Sequence, residues 1–238
     1  VTALPPYLRV VERQYVVSDR PALPIRDTLG ARSEARPEGV PVDMLVLHRG
    51  VGPSVHYVVE PDGSVVRMVP EDRRAWHAGV SHWRGVSGVD GRSIGVALSG
   101  PEASVLQTAA LCDLCLTILA RHPIPARNVV ALGDVAPERA DAVFDWRELA
   151  ENGVGLWPSD VPDLGVSGGV RDAVRLSPVR GALAEIGYRV SPEGALDPAL
   201  SAVLRAFQRH WRPEAVTGQA DDGTLVRLQA VLRLVRGG

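Results

Sequence analysis

Lysine is absent from this 238-residue sequence: all 26 basic residues are arginines, so any chemistry that requires an ammonium side chain is excluded. Cysteine is nearly as scarce. Cys112 and Cys115 form a single C-x-x-C inside the apolar run LCDLCLTIL, with no second pair to complete a zinc site and no strand-turn-helix entry for a redox dithiol. They read as two small buried residues of a core helix. No run approaches the roughly 18 apolar residues that a membrane-spanning helix needs. Charge of one sign is lacking too. The 28 acidic residues leave a formal net charge of −2, which argues against broad electrostatic capture of nucleic acid or an anionic membrane. From Val1 onward no charged segment leads into an apolar one, so no targeting segment is visible.

What remains is ordinary globular material. An apolar content of 45% excludes wholesale disorder, and the length fits one large domain or two small ones. Residues 1–31 are a proline- and arginine-bearing extension with one strand-like patch, Tyr15-Val16-Val17. A first domain is expected over 32–157. There VDMLVLH is a continuous apolar run of the kind that makes a central strand, and VHYVV and VVRMV flank a Pro-Asp-Gly turn as a hairpin. Residues 70–92 look like a loop, and SIGVALS like another strand. A mostly buried helix is expected over 104–122, opened by a capping box of Ser104 and Gln107 and stopped by Pro123. VVAL at 129–132 reads as a short strand, and 146–152 as a short helix ended by Gly153.

The stretch 158–169, rich in Pro, Gly and Ser and without an apolar period, reads as a flexible linker. Beyond it, over 170–238, three helical stripes follow: Val179, Leu183 and Ile186; then Leu200, Val203, Leu204, Phe207 and Trp211 behind an Asp197-Pro198 start; then Leu225, Leu228, Leu232 and Val235. None of the three can bury its face alone. A small three-helix domain, packed as an independent unit, is expected.

The segments DMLVLH, HYVVEPDGSVVRMVPEDRRAWHAGVSHWRG, RSIGVAL, ARHPIPARNVVALGDVAPER and WRELAENGVGLWP, in that order, resemble the zinc-dependent N-acetylmuramoyl-L-alanine amidases, whose fold is shared by the peptidoglycan recognition proteins. RGALAEIGYRV, AFQRHWRP and DDGTL are similar to the three-helix peptidoglycan-binding domain that follows such a domain in a bacterial branch. The resemblance covers 32–238 and implies an α/β fold, a mixed β-sheet flanked by helices, with a small helical domain behind it. It also implies a zinc ion held by two histidines and an aspartate, a glutamate that handles the proton, and a lysine that stabilises the oxyanion.

Set against that pattern, the first histidine is His48. The second falls on Leu132, the glutamate on Ala97 and the lysine on Ala140, while Asp141 remains as an aspartate candidate in a segment three residues short. Arg49 stands where a tyrosine is expected after His48. The resemblance therefore predicts remnant ligands, His48 and Asp141, without a metal or other cofactor, and no catalytic residue. Trp76, His77, Trp83, Arg84 and Arg92 are expected to bind substrate, since aromatic faces suit sugar rings and guanidinium forks suit stem-peptide carboxylates. His56 reads as a packed strand residue, His82 as groove rim or satellite core, and Asp134 as a turn or cap residue.

The expectation is a non-catalytic binder of peptidoglycan or muropeptides in the bacterial cell envelope, in the periplasm, with no nucleic-acid partner and no transmembrane segment. Two alternatives stay open. One is an active zinc amidase with ligands rerouted through His48, His56 or His77 together with Asp134 or Asp141. The other is a scaffold or regulator that holds a protein partner in the former groove.

Overall fold

A computed structural model describes residues 23–28, 30–50, 52, 54–100, 102–139, 144–159, 161–162 and 164–237. The Tyr15–Val17 patch, Ala140 and Asp141 lie outside the described residues.

Apolar runs place the strands. β3 (Met44–Arg49) and β9 (Ser93–Leu98) are buried along nearly their whole length and pair in parallel at the middle of a six-stranded sheet. β10 (Val129–Ala131) closes one side of β3 in parallel. On the other side β4 (Tyr57–Val59) runs parallel to β9 and antiparallel to β5 (Val65–Arg67), the expected hairpin around Pro61-Asp62-Gly63. β1 (Ile25–Asp27) adds the last strand, parallel to β5, so the sheet order is β1-β5-β4-β9-β3-β10. The sheet thus begins inside the segment read as an extension, because a three-residue strand is too short to display a period. The stretch read as a loop holds β6 (Arg73–Ala75), paired with β2 (Ser33–Ala35), and a small ribbon of β7 (His82–Trp83) and β8 (Val86–Ser87).

Alternation along the strands separates two faces. Leu45, Leu47, Ile94, Val96 and Leu98 face α1 (Val105–Arg121) and α3 (Trp146–Glu151), against Leu111, Leu114, Cys115, Ile118, Trp146 and Leu149. Ser104 caps α1 by accepting the backbone N–H of Gln107, but the Gln107 amide reaches away to the carbonyls of Val59 and Ser99, so only half of the capping box forms. Cys112 and Cys115 are unbridged and buried in α1, and burial pushes the Cys115 thiol pKa upward.

The opposite face carries Met44, Val46 and Val130. It continues without a break into the C-terminal helices α4 (Ala173–Ile186), α5 (Pro198–Trp211) and α6 (Asp222–Gly237), whose Leu176, Leu183, Leu204, Phe207 and Val231 belong to the same core. The expected stripes are all present, with Leu225 and Leu232 only partly buried. The expectation of an independently packed unit is corrected: α4–α6 share one hydrophobic core with the sheet. Helix amphipathicity identified the face to be buried, not the surface that would cover it.

Polar contacts reinforce this seam. The short helix α2 (Leu132–Val135) holds Asp134, 1% exposed, which accepts the backbone N–H of Ala131 at 2.8 Å, the Tyr188 hydroxyl at 2.5 Å and Nδ1–H of His210 at 2.7 Å. The His210 ring lies flat between Trp146 and Trp211, with centroids 3.7 and 4.0 Å away.

Candidate active site

His48 ends the buried run of β3 on the face opposite α1, directly across from Ala97 of β9. Leu132 follows β10 on the other flank, so the positions of the implied second histidine and glutamate do border His48, occupied by two buried apolar side chains. His77, 29 residues on, arrives from the loop after β6 and places Nδ1 at 3.0 Å from Nε2 of His48. Its ring packs on Gly95, where a Cβ would stand 2.6 Å from it. No side chain other than hydrogen fits there, so the glycine of SIGVAL is required by the histidine.

Hydrogen bonds fix the loop and the proton positions. Asp90 accepts the backbone N–H groups of His77, Ala78 and Gly79 at 3.1, 2.7 and 3.1 Å. Ser93 Oγ donates its one hydrogen to the Val89 carbonyl, 2.8 Å away, so it accepts from Nε2–H of His77 at 2.9 Å. His77 Nδ1 is then the acceptor for Nε2–H of His48, which leaves Nδ1 of His48 as the basic nitrogen of the pair. The same logic fixes His56: Gly95 N–H donates to its Nδ1, so its Nε2–H donates to the Arg73 carbonyl.

All three rings are neutral at pH 7. Burial first, then the charge of Arg139, lowers His48 to about 3. Burial, outweighing the Arg73 carbonyl, lowers His56 to about 4. Burial and the neighbouring histidines, with Arg36 and Arg139, hold His77 well below its usual value. Chemically, His48 is a weak base and a fixed hydrogen-bond acceptor, able to orient a water or an amide N–H.

The other expected site residues are divided between groove and seam. Trp76 is half-buried, with the Arg74 guanidinium 3.6 Å from its ring centroid and its backbone N–H on Ser54 Oγ. Trp83 is instead 3% exposed and packs edge-to-face on Tyr188, 5.2 Å between centroids. Arg84, with a left-handed φ of 47°, donates to the carbonyls of Glu185 and Ile186 at the end of α4. Arg92 forms a two-pronged ion pair with Asp43, and His82 bonds Ser87 within its ribbon. Trp83, Arg84 and Arg92 are thus committed within the protein, a destination that residue type alone does not disclose. Asp134 caps its turn, as its position suggested, and also holds the seam. Ser93 and Asp90, which set the orientation of His77, were not singled out. An aspartate between Gly88 and Gly91 is a turn signal that could have pointed to Asp90.

The zinc implied by the resemblance needs three protein donors in a catalytic site. His77 uses both ring nitrogens and His48 one, and no group of three His, Cys, Asp or Glu able to hold a metal occurs among the described residues. The described donors do not fit a three-ligand zinc.

A mixed sheet flanked by helices, with a helical domain packed behind it, is the fold this chain shares with cell-wall amidases. The family model described as N-acetylmuramoyl-L-alanine amidase matches residues 22–142, and one for a peptidoglycan binding domain matches 177–228. The chain belongs to the N-acetylmuramoyl-L-alanine amidase family. It is 35% identical over 184 residues to the N-acetylmuramoyl-L-alanine amidase AmiD of Escherichia coli, across 70% of this chain and 66% of AmiD. To the 1,6-anhydro-N-acetylmuramyl-L-alanine amidase AmpD of Enterobacter cloacae it is 37% identical over 99 residues, 39% of this chain and 53% of that protein.

Among solved structures, the complex of E. coli AmiD with the substrate anhydro-N-acetylmuramic acid-L-Ala-D-gamma-Glu-L-Lys superposes with a TM-score of 0.69 at 29% identity, over 83% of this chain and 91% of that one. AmpDh3 of Pseudomonas aeruginosa with an anhydromuramic pentapeptide gives 0.68 at 27%, over 85% and 96%.

These relatives are named amidases, and two are held with muropeptides, which overturns the expectation of a non-catalytic binder. That expectation weighed substitutions at four motif positions. Motif positions do not reveal which donors the tertiary structure brings in from elsewhere, as His77 is brought to His48.

Proposed function

We propose that the protein is an N-acetylmuramoyl-L-alanine amidase that hydrolyses the amide between N-acetylmuramic acid and the L-alanine of a peptidoglycan stem. The observation that carries this is the backbone likeness to AmiD holding its muropeptide, which extends over both the sheet and the C-terminal helices. The second family match supports a role for 177–228 in holding the glycan while the sheet domain works. Trp76, which precedes His77 in the chain, lies along the loop where the glycopeptide would rest. Muropeptides of this kind carry free carboxylates, because a γ-linked glutamate keeps its α-carboxyl group. A peptidoglycan substrate supports a location in the bacterial cell envelope, and the periplasm is part of this proposal; no helix among the described residues is long and apolar enough to cross a membrane.

The test is to incubate the protein with anhydromuramyl tripeptide and with purified sacculi, with and without added zinc, and to follow stem-peptide release by mass spectrometry. Release is expected, reduced at least tenfold by His48→Ala. Muropeptide left intact by a stoichiometric amount of protein under both conditions would overturn the proposal.

A further inference from the structure

β4, β9, β3 and β10 run parallel, and the crevice outside the carboxyl ends of such strands is where α/β proteins hold their ligands. Arg49 is the last residue of β3, one position beyond His48, where the chain leaves the sheet through Gly50. Its guanidinium carbon lies 6.0 Å from the ring centroid of Phe144, a residue 4% exposed that itself packs edge-to-face on Trp146. Nε and Nη1 of Arg49 are shut off from solvent and have no hydrogen-bond acceptor.

Several other arginines are committed within the protein, whereas Nε of Arg74, over the Trp76 ring, is also without an acceptor. Arg36 is spent on backbone carbonyls, Arg92 on Asp43, Arg121 on Glu71, Arg180 on the carbonyls of 191–195 and Arg212 on Asp221. Arg84 and Arg92, the two that residue type suggested for a stem carboxylate, are among those committed. A permanently charged group with two buried, unsatisfied donors is costly to maintain and calls for an explanation.

We propose that Arg49 is the residue that receives a carboxylate of the muropeptide stem at the carboxyl end of the sheet. The proposal rests on the amidase reading and adds a specificity determinant to it. A carboxylate at one edge of the guanidinium supplies an acceptor oxygen that Nε–H or Nη1–H lacks. The apolar wall of Phe144 strengthens the ion pair by lowering the local dielectric. In a chain without lysine, the positive charge that meets an anionic stem falls to arginine.

Binding of free L-Ala-D-γ-Glu-L-Lys, which lacks the cleavable amide, and of its carboxamide form is measured by titration calorimetry. The parent protein is compared with Arg49→Gln and Arg49→Lys. Arg49→Gln should bind the carboxylate peptide at least tenfold more weakly, the lysine variant should fall between, and the carboxamide peptide should not distinguish the three. Because the lost donors had no protein partner, Arg49→Gln should melt no lower than the parent, which separates lost recognition from lost folding. Equal affinity of parent and Arg49→Gln for the carboxylate peptide would overturn the proposal. So would failure of the parent to bind this peptide while it still releases stems from muropeptide, an outcome that leaves the amidase reading standing. Neither binding nor release would remove both.

Discussion

Two buried histidine clusters hold this molecule together in opposite ways. At the end of the sheet, His48 and His77 bond each other among arginines, and the carboxylate of Asp90 is 3.9 Å from His77 and engaged by three backbone N–H groups. At the seam, His210 faces Asp134 at 2.7 Å and is stacked between two indoles. The first cluster is kept neutral by burial and by the positive charges around it. The second is anchored by a carboxylate that also takes the Tyr188 hydroxyl and so ties three segments into one core. A site that must meet a ligand keeps unspent donors and acceptors, such as Nδ1 of His48 and the guanidinium of Arg49. A seam that must only hold has spent most of its own.

Acid should break the first cluster with the largest effect. His48, His56 and His77 have folded pKa values below the ordinary value of 6.5, so the unfolded chain binds more protons than the folded one once pH falls below about 6.5. Their stabilising contribution is present above that pH and is lost as pH drops towards the folded values. Between pH 7 and 5 the loss should be on the order of 2 kcal/mol for each of His48 and His56. Denaturant titrations at the two pH values check it, and His56→Gln should remove its share of the difference. Equal stability at pH 7 and 5 would mean that the rings already carry protons in the folded state.

Next in size is the shared core. Phe207 is fully buried against Tyr188 and Trp211, and Phe207→Ala should cost roughly 3–5 kcal/mol. Because α4–α6 and the sheet pack into one core, calorimetry should show a single transition shifted to lower temperature. Two separate transitions, with only the smaller one moved, would restore an independent C-terminal unit. The smallest effect sharpens the contrast between clusters. Tyr188→Phe removes one hydrogen bond to a buried carboxylate that keeps two others, and should cost about 1–2 kcal/mol. Stem-peptide release should survive this change and fail after His48→Ala, whereas an equal loss in both variants would mean that the seam positions the site directly.

Local pattern revealed most of the elements. The apolar runs became β3 and β9, the Pro-Asp-Gly turn became the β4–β5 hairpin, and the Ser104, Asp197 and Pro198 signals opened α1 and α5 where expected. His48, Trp76 and His77 stand out in the sequence because the motif around them is local, and the structure brings His48 and His77 together. The fates of Trp83 and Arg84 were not. Whether an aromatic or an arginine next to a groove meets solvent or another domain depends on residues a hundred positions away, and here Gly187 and the carbonyls ending α4 claim both.

The sequence by itself determined the family, the sheet and the three C-terminal helices, because hydrophobic period, caps and turn residues act over a few positions. It also determined that only arginine and histidine can supply a cation. Tertiary structure alone decided that His77 reaches His48, that Asp134 is shared by Tyr188 and His210 across 54 and 76 positions, and that Arg49 keeps donors without partners. Hydrogen bonds and ion pairs are made at about 3 Å in space, and one chain offers each donor many acceptors at any sequence separation. Packing of the cores chooses among them.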